Sequence, residues 1–93
     1  MAVGTATLNF GTTPTDSASV VVSGLSGLSV ATHKEAFVQS DDSTVDNTAL
    51  QHRQLAYYGR FTCEYTSATS MTINCDLTFG NATGTFTIHY VTA

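Results

Sequence analysis

Side chains that could ionise, coordinate a metal or attack a substrate concentrate in one stretch of this sequence, DDSTVDNTALQHRQ at 41–54. Asp41, Asp42 and Asp46, with Ser43 and Asn47 among them, offer the hard oxygens that calcium prefers. Their spacing departs from the ordinary calcium loop, because no glycine stands at its turn and no glutamate closes it. The stretch therefore reads as a solvated connection between two parts of a β-domain, with calcium, a glycan or a neighbouring subunit as the ligands to weigh. His33, His52 and His89 are the only candidate nitrogen ligands for a transition metal, and no two form an HxH or i, i+4 pair. They read as three separate surface histidines. His89 in particular is expected to point outward, since it alternates against Phe86, Ile88 and Tyr90.

Nucleophiles fare no better. SGLSG at 23–27 lacks the spacing of a GxSxG elbow and any flanking strand-to-helix turn. Cys63 alternates in phase with Phe61 and Tyr65, which turns its thiol inward, where it is inert. A hairpin folded symmetrically about residue 69 would set Cys63 opposite Cys75, Phe61 opposite Leu77 and Tyr65 opposite Ile73. That pairing permits either a disulfide or two reduced core thiols, and we expect the reduced pair. NAT at 81–83 matches a glycosylation acceptor, but reads more simply as a hairpin tip. Tyr57, Tyr58, Tyr65 and Tyr90 could build a sugar platform, although tyrosines on strands more often form core edges or interfaces. No catalytic, cofactor or metal residue is assigned, and the chain is expected not to be an enzyme.

The elements that would position these groups are mostly strands. TATLNF puts Ala6, Leu8 and Phe10 on one face, GTTPTD turns, and SASVVV is a second, β-branched strand. LSVATHKEAFVQS gives one long or two short strands, with the burial phase of Phe37 ambiguous between Ala36 and Val38. A helix is plausible only in NTALQHRQLAYY, capped by Asn47 or Thr48, and LAYY could already be strand. RFTCEYT, SMTINCDLTF and GTFTIHYVTA alternate cleanly and are joined by SATS and GNATG. They predict a C-terminal β-meander. The fold class is all-β, a small antiparallel β-sandwich or barrel of about six to eight strands, in a single domain over 1–93.

Composition removes whole function classes. Charged residues are 11% of the chain and the net charge is −4, with Lys34, Arg53 and Arg60 the only positive side chains. A nucleic-acid partner needs a basic footprint that this sequence lacks. VVVSGLSGLSVA at 20–31 is broken by Gly24 and Gly27 and falls short of the span of about 20 apolar residues that a membrane requires. MAVGTATLNF has no basic or apolar leader region, so no export signal of the usual kind is expected. A domain this small gains only marginal stability from its own core, which makes neighbours a natural source of the rest.

TATLNFGTTPTDSASVVVSG, THKEAFVQSDDSTVDNTALQHR and GTFTIHYVTA together resemble small β-sandwich virion proteins of tailed bacteriophages. The resemblance implies a non-enzymatic structural role in the virion, assembled in the host cytoplasm. The first expectation it gives is a head decoration or cement protein, stabilising the capsid through contacts with the major capsid protein and with copies of itself, as a trimer or other homo-oligomer. A tail, adaptor or fibre component is the alternative within that family. A carbohydrate-binding module using Tyr57, Tyr58, Asp41 and Asp46 is the alternative outside it.

Overall fold

A computed structural model describes residues 1–93. Six strands and one helix follow in the order β1 (Ala2–Asn9), β2 (Ser17–Val22), β3 (Lys34–Phe37), α1 (Ala49–Tyr58), β4 (Gly59–Ser67), β5 (Ser70–Leu77) and β6 (Thr85–Thr92). They form two three-stranded antiparallel sheets, β1-β6-β3 and β2-β5-β4. The sheets face one another as a sandwich, with β1 beside β2 at one side and β3 beside β4 at the other.

Period-two alternation drives this arrangement, since each strand turns one set of side chains between the sheets. Leu8, Phe86 and Ile88 come from the first sheet, Phe10 from just past β1, and Val22, Met71, Ile73 and Cys75 from the second sheet. The β2–β3 loop adds Leu25 and Leu28, and α1 adds Leu55. Gly24 and Gly27, with φ of 78° and 68°, let that loop fold both leucines inward.

Two expectations need correction. β5 and β6 are not neighbours: β6 lies between β1 and β3 in the opposite sheet, so the C-terminal strands do not form a meander. The GNATG segment is a crossover between sheets, with Gly80 and Gly84 both at φ near 80°. Its backbone pairs with the β1–β2 turn, through Thr15 with Ala82 and Gly84 with Phe10 and Gly11.

The β4–β5 register is also displaced by two residues. Phe61 faces Cys75, Cys63 faces Ile73 and Tyr65 faces Met71. One residue comes from the turn, which pairs Ser67 with Ser70, and the other from a bulge between Tyr65 and Ser67, where Thr66 is an extra residue. A shift of two preserves the buried face, so alternation alone could not detect it. Cys63 and Cys75 become diagonal neighbours and both are free thiols.

β3 is only four residues long, shorter than the strand or strands expected of LSVATHKEAFVQS. Ala36 turns inward and Phe37 outward, which settles its phase. α1 runs through to Tyr58, so LAYY is helix and not strand. Thr48 is its N-cap, and its hydroxyl and the Gln51 side chain complete a capping box. The helix then passes into β4 at Gly59, where a Cβ would come within 2.8 Å of the Leu55 carbonyl oxygen. Substituting alanine at Gly59 should lower the unfolding midpoint, read by circular dichroism, since that neighbour is backbone and cannot move aside.

Candidate functional site

β6 is the central strand of its sheet and needs partners on both edges. β3 supplies them only as far as Phe37, opposite His89. Continued along the same register, β3 would have put Gln39 and Asp41 opposite Thr87 and Thr85. Instead the chain turns away, fixed by Asp42, whose backbone N–H donates to the Gln39 carbonyl (3.1 Å) while its carboxylate accepts from the Gln39 N–H (2.9 Å).

Side chains of the acidic stretch then replace the missing strand. Asn47 donates from its amide to the carbonyls of Thr83 (3.1 Å) and Thr85 (2.8 Å). Thr44 donates its hydroxyl to Thr85 O at 2.7 Å. Asp46 accepts from the Thr85 N–H (3.1 Å) and hydroxyl (2.8 Å). His52 accepts the Thr87 N–H on Nε2 at 2.9 Å. Backbone groups that β3 leaves open are thereby satisfied from a loop and the first turns of a helix.

His52 is fully buried, which corrects its reading as a surface histidine. Its ring packs on Phe86 with centroids 5.0 Å apart. Because Nε2 accepts from Thr87, the ring proton sits on Nδ1, which donates to Thr48 O at 3.0 Å. The ring is thus a neutral tautomer with both nitrogens engaged. A signal for this was present in the sequence: His52 stands three residues before Leu55, on the one face of α1 that is buried.

His89 does lie on the outer face, as its phase required, but it is covered there. Its Nε2 donates to Asp42 Oδ1 at 2.9 Å and its ring stacks on Phe37 at 5.7 Å. Burial pushes the Asp42 carboxyl upward, yet the hydrogen bonds from His89 and Gln39 outweigh it and hold the group below the usual carboxylate value. A carboxyl depressed in the folded state stabilises above its unfolded value, near 3.9, and loses that contribution as pH falls through the folded value. Thermal midpoints should therefore drop more steeply below about pH 4 in the wild type than in Asp42→Asn. Parallel curves would contradict this. His33 is exposed beside Glu35 at 3.2 Å.

The thiols carry no reactive character. Cys75 is buried and its thiol is pushed up to about 12, by burial and then by the neighbouring Asp76 carboxylate. Cys63 is half-buried, and burial raises it too. Iodoacetamide under native conditions should label Cys63 slowly and Cys75 only after unfolding, a difference that intact-mass spectrometry resolves.

The tyrosines divide. Tyr90 packs inward over Gly4, where a Cβ would meet its hydroxyl at 2.5 Å. Tyr65 is on β4. Tyr57 and Tyr58, at the end of α1, form an edge-to-face pair at 5.1 Å, and Tyr58 lies 5.9 Å from Phe79 in the crossover. Below these rings is a cleft of about 340 Å³ between α1 and the crossover, floored by Leu55, Leu77, Ala82 and Phe86 and rimmed by Asn47, Gln51, Gln54 and Asn81. Neither Asp41 nor Asp46 lines it. Asp46 is held over Gly84, so the tyrosine–aspartate patch considered from sequence does not form. Asn81 is at the rim of this cleft and not at a hairpin tip.

Compared with protein-family models, curated proteins and solved structures, the chain matches none.

Proposed function

We propose that this chain is a non-enzymatic structural subunit of a bacteriophage virion, and specifically a decoration protein that cements the head. One observation carries the assembly reading. Eleven large apolar or aromatic side chains stand exposed, as many as the eleven residues that form the buried core. Single exposed apolar side chains are ordinary on a monomer, but grouped ones mark contact surfaces.

Two of them, Val3 and Phe37, share the outer face of β1-β6-β3. Val3, 67% exposed, pairs across the ladder with Val91, and Phe37 stacks on His89 one pair along. Threonines continue this face at Thr5, Thr7 and Thr87. Its charged groups are Glu35, opposite Val91, and the Asp42 carboxylate held on His89, and the rest is an apolar and threonine surface of the kind that packs against other protein. Each sheet also ends in strands whose outer ladders are open, among them the eight-residue β1 and nine-residue β4. Such edges accept a neighbouring strand or subunit.

The likeness in sequence to small virion proteins supplies the kind of assembly. Contacts with the major capsid protein and with copies of this chain would add the stability that a small core leaves wanting. Quantitative mass spectrometry of purified particles tests the proposal by counting this chain against the shell protein. Hundreds of copies per particle are expected. A few to a few dozen would overturn the head position in favour of tail or fibre, and absence would overturn the virion reading.

A further inference from the structure

The cleft between α1 and the crossover lies apart from the β1-β6-β3 face and the open strand edges, and its chemistry is distinct. We propose that it binds a neutral oligosaccharide, with Tyr58 and Phe79 as stacking rings and Gln51, Gln54 and Asn81 as hydrogen-bonding groups.

Three features of the site select that ligand class. First, the rings are presented to solvent: Phe79 is 75% and Tyr57 82% exposed, and Tyr58 links them through contacts of 5.1 and 5.9 Å. Aromatic faces held at the rim of a cleft match the C–H faces of a pyranose ring. Second, no side chain lining the cleft is charged, so nothing there recognises a phosphate, a carboxylate or an amine. Third, carboxamides both donate and accept, as do the hydroxyls of a sugar. Gln51 uses its oxygen on the Thr48 N–H at 2.6 Å, which fixes the side chain and leaves its NH2 free for a ligand. Gln54 and Asn81 stand exposed at the rim.

The volume of about 340 Å³ lies at the lower end of small-molecule sites, which run from about 300 to 1,000 Å³. Tyr58 and Gln54 also line the next depression, with Leu50, Arg53 and Tyr57. A ligand can therefore run on past Tyr58 into a depression whose one charged side chain is Arg53, which favours a chain of sugars over a single one. Apart from the fold, nothing in this inference depends on the virion proposal.

The test is titration of the 15N-labelled chain with neutral trisaccharides of glucose, galactose and N-acetylglucosamine, followed by amide chemical shifts. At least one sugar should give saturable shifts confined to α1 and residues 78–83. Phe79→Ala, whose side chain is largely in solvent and whose loss leaves the core intact, should weaken that binding about tenfold, and Thr5→Ala on the distant sheet face should leave it unchanged. Gln54→Leu should weaken it while keeping the unfolding midpoint. The inference is overturned if no neutral sugar gives saturable shifts, if Phe79→Ala binds as the wild type does, or if only an anionic oligosaccharide binds. Density for a protein segment filling the cleft in assembled particles would overturn it too.

Discussion

Replacing His52 with alanine should lower the thermal midpoint by roughly 15 °C or more, which for a chain of this size corresponds to about 3 kcal/mol. The side chain is completely buried, packs on Phe86 and closes two hydrogen bonds at once. Truncation removes a buried ring and leaves the Thr87 N–H without its acceptor. A large-to-small change of this kind costs about 3–5 kcal/mol, and an orphaned buried donor about 1–3. Small domains have only about 5–15 kcal/mol in total. His52→Phe separates the two effects. It restores an aromatic ring but not the acceptor, so it should recover part of the loss and stay well below the wild type in urea or thermal unfolding. If His52→Phe matches the wild type, the bond to Thr87 contributes nothing and the account of this residue is wrong.

Asn47→Asp should be nearly as damaging, although it changes one atom type. The Asn47 amide donates to Thr83 O and Thr85 O, and a carboxylate can donate to neither. It would instead set a negative charge against two carbonyl oxygens, in a buried position next to Asp46. An uncompensated charge so placed costs about 3–5 kcal/mol. The sign of its pH dependence follows. Repulsion and burial raise the folded pKa of the new carboxyl above the unfolded value near 3.9. The penalty is therefore complete above the raised value and vanishes below about pH 3.9. Midpoints of variant and wild type should diverge at neutral pH and converge in acid. A constant gap across that range would contradict the role given to Asn47.

Much of the fold was legible because alternation is a strong signal. SASVVV is β2, and Leu8, Ile73 and Ile88 sit at the centre of the core as their phases require. Pairing was less legible, and for a definite reason. β5 and β6 have the same alternation whether they lie side by side or in facing sheets, so parity cannot choose between them. The choice rests with Gly80 and Gly84, whose left-handed backbone steers the chain across, and Gly84 also leaves room for Asp46. A Cβ there would lie 2.8 Å from the Asp46 Cβ. Thr66 similarly hides in the register, since turn and bulge together shift the pairing by two and so leave the same face buried.

The acidic stretch was legible as a connection but not as a strand substitute. Asp46 and Asn47 look like any polar loop until β3 is known to stop at Phe37 and leave Thr85 and Thr87 open. The burial of His52 is legible only beside Leu55, its neighbour on the helix, and not beside the other two histidines. Of the candidate cleft, Tyr57 and Tyr58 could be named from sequence. Phe79 could not, because its alternation with Leu77 placed it on a strand that in fact ends at Leu77.

The central structural claim is that the side chains of residues 42–52 bind the backbone of β6. Long-range 1H–15N correlation spectra of the His52 imidazole test it most directly, because the claim fixes the tautomer. The prediction is a neutral ring protonated on Nδ1 at pH 7, with Nε2 shifted as a hydrogen-bond acceptor. An Nε2-protonated ring would contradict it.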